Sequence, residues 1–371
     1  MGDRASARVL SYLLFCAIAL PVFAAAPESS KSAPEGQAKG YTFIAKHDEI
    51  VAKAKKEGKL RILTTMDDGD IRANTAAFKK KYPFLDVKGL QSRGADSAQR
   101  LLLEIKSGMA KEWDVILVSA DFYSEYPPYL WKADVLEMAK QKVLQIPPAM
   151  IDPHSRNILA VFSYFQATAY NTKLVPANLV PKSLEDLLRP ELKERKFALD
   201  IRPKDVAGLV PAWGLEKTVD FARKLAAQQP IWVRGGTRVM ASLISGEIPM
   251  MIGNNYGSVR EAQQKDPAGV LKYVLLEPVP VRFGNAQAIL ASALNPHAAL
   301  LWLEWLATPE AQKIIDDTEP FSSSVYVRGG VVEQELRGKK LSVVDWEHYP
   351  RMEHWQAKIV EAYGFPKADT K

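Results

Sequence analysis

The side chains able to do covalent or metal chemistry are few, and their spacing does not assemble them. The five histidines are His47, His154, His297, His348 and His354. None falls in an H-E-x-x-H pattern, where two imidazoles one helical turn apart hold a zinc ion. Glu347-His348 and Glu353-His354 come nearest to a metal constellation, but a spacing of six puts the imidazoles on different sides of a helix. The one cysteine, Cys16, excludes an internal disulfide framework, a cysteine-based zinc site and an iron–sulfur cluster held by a single chain. The sequence has no G-x-S-x-G nucleophile elbow, no G-x-x-x-x-G-K-[ST] phosphate loop and no G-x-G-x-x-G turn. Hydrolase, nucleotidase and dinucleotide oxidoreductase readings lose their support, which leaves binding.

For binding there are better candidates. Met66-Asp67-Asp68-Gly69, Gln91-Ser92-Arg93-Gly94-Ala95 and Ser119-Ala120-Asp121 each follow an apolar run that reads as a strand. Asp200-Ile201-Arg202-Pro203, Arg234-Gly235-Gly236-Thr237 and Gly253-Asn254-Asn255-Tyr256-Gly257 come later. Loops past the carboxyl ends of strands are where open α/β sheets hold ligands. Arg93, Arg202 and Arg234 can pair bidentately with a carboxylate or another anion. The free N–H groups of helices opening after Gly94 and Gly235-Gly236 favour the same charge. A turn with a capping residue is the plain alternative at each cluster, and Tyr126, Tyr129, Trp131, Phe162, Tyr164 and Phe165 read more simply as core.

The elements that must position these loops follow from apolar spacing. Thr42 to Lys56 reads as a helix stopped at Gly58, Leu60 to Thr65 as a buried strand, and Ile71 to Tyr82 as a helix ended by Pro83. Leu85 to Leu90, Ala95 to Lys106 and Asp114 to Ser119 continue as strand, helix and strand, the alternation of a parallel α/β sheet. A stretch rich in Pro and aromatic residues, Tyr123 to Pro153, separates this half from a second one. That half carries strands at Phe197 to Ile201, Ile248 to Gly253 and Ala286 to Ala293. Its helices are Ser183 to Leu188, Leu215 to Ala227, Thr237 to Ser245 and the segment from His297 through Asp316. Val161 to Asn171 and Tyr273 to Pro280 read as extended. No fixed-period repeat occurs, so a solenoid or propeller is not expected.

At 371 residues, 47% hydrophobic and 25% charged, the composition is globular and the length suggests two lobes. The 49 Lys+Arg against 43 Asp+Glu leave a net charge of +6, too small an excess to imply nucleic acid. Arg4 and Arg8, the apolar run Val9 to Phe23 and Ala24-Ala25-Ala26 have the order of a secretory signal peptide. Cleavage is expected after Ala26 or Ala24. The run is shorter than the roughly 20 residues of a membrane span. Cys16 follows the bulky Phe15, unlike a lipid-modified cysteine. Residues 27–40 have no apolar periodicity and read as a flexible linker.

Five segments in order resemble one family. They are Leu60-Arg61-Ile62-Leu63-Thr64-Thr65 before a helix ending Phe78-Lys79-Lys80-Lys81-Tyr82-Pro83; Glu104-Ile105-Lys106-Ser107-Gly108 leading to Trp113-Asp114-Val115; Ala169-Tyr170-Asn171-Thr172-Lys173-Leu174-Val175; Ser245-Gly246-Glu247-Ile248-Pro249; and Asn295-Pro296-His297-Ala298-Ala299 through Leu303 to Gln312. Over most of residues 55 to 325 the chain resembles periplasmic solute-binding proteins of ABC importers, in the ferric-ion-binding-like branch of extracellular solute-binding family 1.

The resemblance implies an α/β, type II periplasmic-binding-protein fold. Each of its two lobes is a central sheet flanked by helices, with the ligand in the cleft between them and capture by hinge closure. The expected division is residues 1–26 signal peptide, 27–40 linker, 41–165 plus 285–371 first lobe, and 166–284 second lobe. The implied partners are a small-molecule ligand and the permease subunits of the inner membrane. A periplasmic monomer without cofactor, enzymatic activity or nucleic-acid partner is expected. Iron binders of the family hold the metal with a tandem tyrosine pair, and the matching position here is Asn255-Tyr256, one phenol instead of two. Ferric iron wants several anionic oxygen ligands, so the sequence puts a small organic anion first and ferric iron second. The expected ligand contacts are Arg93, Ser119, Asp121, Arg202, Arg234, Asn255 and Tyr256, with Tyr256 lining the cleft opposite Arg93 and Ser119; no metal ligand is assigned.

Overall fold

The computed structural model describes residues 40–365; the expected signal peptide, residues 27–39 of the linker and residues 366–371 lie outside them. The first half alternates as its spacing predicts: α1 (His47–Glu57), β1 (Lys59–Thr64), α2 (Asp68–Lys81), β2 (Asp86–Gln91), α3 (Ala95–Lys106) and β3 (Val115–Val118); a short helix not expected there, α4 (Val135–Lys140), follows inside the Pro- and aromatic-rich stretch. Gly58 ends α1 in the left-handed conformation, φ 69°, its N–H donating to the Ala54 carbonyl. β1 pairs in parallel with β2 and β3. At the start of α4 the Asp134 carboxylate accepts the Glu137 N–H and is gripped by the buried Arg156 guanidinium at 2.9 Å.

β4 (Ile158–Asn171) then leads to β5 (Ala198–Asp200), α5 (Lys204–Ala207), α6 (Val210–Trp213), α7 (Leu215–Ala227), β6 (Ile231–Val233), α8 (Gly236–Ser245), β7 (Met250–Asn255), α9 (Tyr256–Gln264) and β8 (Leu271–Val274). β9 (Val279–Ile289), α10 (Pro296–Leu306), α11 (Pro309–Thr318), α12 (Val331–Leu336), β10 (Leu341–Val344) and α13 (Met352–Tyr363) complete the described chain. The strand order is β2-β1-β3-β9-β4-β7-β5-β6, with β10 beside β9 and β8 beside β4.

Two long antiparallel strands, β4 and β9, run through both halves of this order and join them. β4 is buried along nearly its whole length, pairing with β9 through its first half and with β7 and β8 through its second, and it reads as an almost unbroken apolar run. β3 joins β9 antiparallel, from Val115↔Ile289 to Val118↔Ala286. The sheet is therefore mixed, where parallel alternation alone was read for the first half.

Each half has its own core. In the first, Phe78 of α2 meets Trp302 and Trp305 of α10 at ring distances of 5.3 and 6.1 Å, over Ile62 and Leu60 of β1. In the second, Phe197, Leu199, Phe221, Leu225 and Met250 pack together with Trp355, Ile359 and Tyr363 of α13. Burying such a side chain contributes on the order of 1.5–3 kcal/mol. α13 thus packs with the second lobe, although it lies within the 285–371 stretch expected in the first. Its apolar residues recur at helical spacing and need a partner face, but the sequence does not say which lobe supplies it.

Candidate functional site

β3 and β10 approach the same side of β9 from opposite directions. β3 ends opposite Ala286, and β10, parallel to β9, ends opposite Arg282. Phe283, Gly284 and Asn285 between them have no ladder partner on that side. The two carboxyl ends therefore face each other across a gap, a topological switch point of the kind where open sheets hold ligands. A cavity of about 340 Å³ occupies it, lined by Thr65 after β1, Ser92 and Gly94 before α3, Ser119 after β3, and Trp346 and Tyr349 after β10.

Its floor is made by the crossing strands. Tyr164 of β4 stands opposite Arg282 of β9, and the guanidinium lies 4.8 Å from the centre of the Tyr164 ring. Gly284 makes room for that ring: a Cβ there would sit 2.1 Å from Tyr164 Cε2. Arg282 is half-buried and makes no side-chain hydrogen bond or ion pair among the described residues. A desolvated guanidinium without a partner is costly, and an anion in the cavity would relieve it. Burial pushes the Tyr164 hydroxyl up to about 12, with the Glu319 carboxylate adding to the effect. Tyr349 donates its hydroxyl to the Phe283 carbonyl and Tyr123 donates to Asp152, and burial raises both phenols further. Among the described residues, no carboxylate lines this cavity.

Asn285 is tied down behind the floor. Its backbone sits at φ 46°, and its side-chain Oδ1 accepts from Thr64 Oγ1 at 3.1 Å and Gln287 Nε2 at 3.0 Å. Gln287 in turn accepts from the Trp302 indole at 3.1 Å, so the network links the cavity floor to the core under α10.

A second, smaller cavity, about 40 Å³, opens past the carboxyl ends of β5 and β7. Leu199, Val206, Phe221, Ile252 and Leu276 make it largely apolar, and Asp200, Arg202 and Asp205 give it charge. Burial pushes the Asp205 carboxyl up to about 7, opposed by the positive charge of Arg282. Gln166 and Pro280 line this cavity, two positions along the crossing strands from Tyr164 and Arg282, which line the first. Two strand residues span roughly 7 Å, so the cavities adjoin along β4 and β9.

The candidates drawn from the sequence divide. Ser119 lines the larger cavity. Asp121 follows it in a 3-10 turn, and its side chain lies outside the described residues. Arg93 is about half exposed and already held by two carboxylates, Asp67 and Glu319, each at 3.0 Å. Arg202 pairs with Asp200 at 3.3 Å on the rim of the smaller cavity, and Arg234 is exposed beside Gly235. Asn255 caps α9 by accepting the Gly257 N–H at 2.9 Å. Tyr256 is 1% exposed and lines neither cavity. Its ring stacks on Phe165 at 4.3 Å, edge-on to Tyr273 and Phe321, with its hydroxyl 3.3 Å from that of Tyr273. As the first residue of α9 it turns inward into an apolar cluster, so the expected cleft-lining tyrosine is a core residue; burial, then Tyr273, raises its phenol.

Sequence reasoning missed Arg282, Tyr164, Tyr349 and Asp205. The one local signal was Arg282 itself, an arginine set in the apolar run Val279-Pro280-Val281-Arg282-Phe283. The Glu347 and His348 region offers no rival site: His348 pairs with Asp345 at 2.7 Å, and no group of three His, Cys, Asp or Glu side chains able to hold a metal occurs among the described residues.

Two α/β lobes joined by crossing strands, with adjoining cavities at the strand ends, define a two-lobed solute-binding protein. Residues 73–324 match the family of bacterial extracellular solute-binding proteins, and the chain belongs to that family. Its structure is similar to the Bordetella ferric binding protein, with TM-score 0.65 and 16% identity over 83% of this chain and 100% of that one. It is also similar to Trichodesmium FutA in complex with iron and citrate, with TM-score 0.61 and 18% identity over 83% and 100%. The Atu4243 GABA receptor aligns with TM-score 0.60 and 15% identity over 84% and 100%. No curated protein matches the sequence. At these identities the structural likenesses establish the fold, and the family places the chain among periplasmic proteins that deliver a small ligand to an ABC permease.

Proposed function

We propose that this protein is the exported substrate-binding component of an ABC importer, and that its cleft takes ferric iron together with a carboxylate-bearing anion rather than the bare ion. The unpaired Arg282 guanidinium in the cavity carries this reading. Ferric iron is a hard cation that needs several anionic oxygens. Among the described residues the larger cavity supplies phenols and hydroxyls and no carboxylate, so most of those oxygens arrive with the cargo. Arg282, Ser92, Ser119 and the N-terminus of α3 suit a free carboxylate of such a complex, and Tyr164 is the phenol nearest to hand for the metal. The ferric binders among similar structures support iron, and FutA with iron and citrate supports the pairing of metal and anion. Iron thus moves ahead of the organic anion that the sequence put first.

The mechanism is capture by closure. A cargo touching both cavities favours the closed arrangement by its differential contacts, with β4 and β9 as the hinge, and the permease reads the closed lobes. A cleaved signal peptide, a monomeric state and the absence of a nucleic-acid partner belong to the same proposal.

The test is titration with ferric citrate and with citrate alone, following intrinsic fluorescence and the visible phenolate-to-iron band. Ferric citrate should develop the band and bind at least ten times tighter than citrate. Equal binding of citrate without iron uptake would instead favour an organic anion as the cargo, a second reading that the donor-lined, carboxylate-free cavity and the GABA receptor's similar fold keep in play. Cargo at 100 times its dissociation constant should stabilise the protein by about 2.7 kcal/mol.

A further inference from the structure

We infer that Asp205 is the second lobe's contact to the positive centre of the cargo, facing Arg282 across the cleft; the inference rests on the cargo being a metal–carboxylate complex. Asp205 projects from the short helix α5, past the carboxyl end of β5, and lines the smaller cavity. Its carboxylate makes no hydrogen bond or ion pair among the described residues. Its neighbour Asp200 shows what a structural carboxylate looks like in the same loop. Asp200 accepts from the Arg202 N–H and the Gly235 N–H, each at 2.9 Å, and pairs with the Arg202 guanidinium. Asp200 is fully employed; Asp205 is not.

The backbone is shaped around Asp205. Gly253, within β7, has φ +70°, and a Cβ there would stand 2.7 Å from Asp205 Cβ. The fold thus keeps open the space for a carboxylate that takes no hydrogen bond or ion pair among the described residues. A hard metal ion brought by an anion still lacks a protein carboxylate among the described residues of the larger cavity, and Asp205, unlike the occupied Asp200 beside it, is set next to that cavity with no hydrogen bond or ion pair of its own. With the anion at Arg282 and the metal at Asp205, the cargo bridges the lobes, which is the differential contact that closure requires.

The experiment compares wild type, Asp205→Asn and Gly253→Ala in titrations with ferric citrate and with metal-free citrate, and records the melting temperature of each empty protein. Asp205→Asn should weaken ferric citrate at least tenfold, leave citrate within about twofold, and not lower the melting temperature, since an amide is no harder to bury than a carboxylate. Gly253→Ala, which pushes Asp205 out of place, should show the same selective loss. Unchanged ferric citrate affinity in Asp205→Asn, or an equal loss for metal-free citrate, overturns the inference. A lowered melting temperature with unchanged affinity makes Asp205 structural and overturns it too. A wild type that takes up no ferric citrate overturns the cargo reading, and this inference with it.

Discussion

The two walls of the cleft handle charge in opposite ways. On the first-lobe wall Arg93 is neutralised by Asp67 and Glu319, the hydroxyls of Tyr123 and Tyr349 are spent on Asp152 and a backbone carbonyl, and Arg282 makes no hydrogen bond or ion pair among the described residues. The second-lobe wall is mostly apolar, its Asp200–Arg202 pair is closed on itself, and Asp205 stands without a partner. What separates a ligand contact from a structural charge is the state of its partners. A satisfied ion pair must be broken before it can bind anything, whereas an unsatisfied, half-buried one gains when ligand arrives.

That contrast can be broken or sharpened by substitution. The largest effect is expected away from both walls, at Tyr256. Tyr256→Ala should cost roughly 3–5 kcal/mol of stability in urea unfolding, as for other large-to-small changes of buried aromatics, and Tyr256→Phe about 1 kcal/mol or less. Both folded variants should keep the wild-type affinity for ferric citrate, and a loss of affinity in Tyr256→Phe would return Tyr256 to the cleft. Arg282→Gln comes next, with ferric citrate expected to bind about 100-fold more weakly, or about 2.7 kcal/mol. Affinity retained within a few-fold would mean that the unpaired cation is not what the first wall offers.

Gly284→Ala drives a methyl group into the Tyr164 ring. Thermal unfolding should show about 1–3 kcal/mol of destabilisation from overpacking, with weaker cargo binding because the ring carries Arg282. An unaltered stability would show that Tyr164 is free to swing aside. Asp70 gives a desolvated acid behind the first wall to set against Asp205 in the second. It is fully buried in α2, accepts from Asn74 Nδ2 at 2.5 Å, and leaves its other oxygen unpartnered. Burial pushes it up to about 7, against the bond from Asn74. The folded protein therefore holds a proton that the unfolded chain releases, and stability falls as pH rises from about 4 to about 7. Asp70→Asn should flatten this fall and be more stable than wild type by about 1 kcal/mol at pH 8, measured by urea unfolding across the range. Equal pH profiles would leave Asp70 out of the balance.

The smallest effect belongs to Arg93→Ala. The residue is half exposed and its ion pairs are screened, so stability should change by less than about 1 kcal/mol and cargo affinity by less than about threefold. A tenfold loss of affinity would show that a paired arginine on the first wall opens to take ligand.

Much of the fold was legible in the residues. Helical spacing with Gly58 and Pro83 as stops placed α1 and α2 within a few residues, and the apolar runs at 60–65, 85–90 and 114–119 became β1, β2 and β3. The segment read as extended, Val161 to Asn171, lies within β4. Less of the site was legible. Ser119, which lines the larger cavity, was picked because it follows a strand, while Arg93, Arg202, Asn255 and Tyr256 were chosen for residue type and loop position: Arg202 and Asn255 are tied to neighbours two residues away, and Arg93 and Tyr256 to residues distant in the chain. Glu319, which helps hold Arg93, is distant in sequence, and the Phe165 ring that takes Tyr256 belongs to β4, far from α9 in the chain. β10 was not read at all, since four residues beside an edge give too short a pattern to distinguish from a loop.

By itself the sequence determined the local alternation of strands and helices, the two-lobed class, the membership in a solute-binding family and the lack of a catalytic motif, because each is written in short-range periodicity or in ordered motifs. Only the tertiary structure decided which charges remain unpaired. It brought β3 and β10 end to end over Arg282, closed Arg93 with Asp67 and Glu319, turned Tyr256 into the core and left Asp205 open beside Gly253. The physical reason is that burial and partnership depend on pairs of residues far apart in the chain, and a residue's type says what bonds it can make, not whether the fold has already made them.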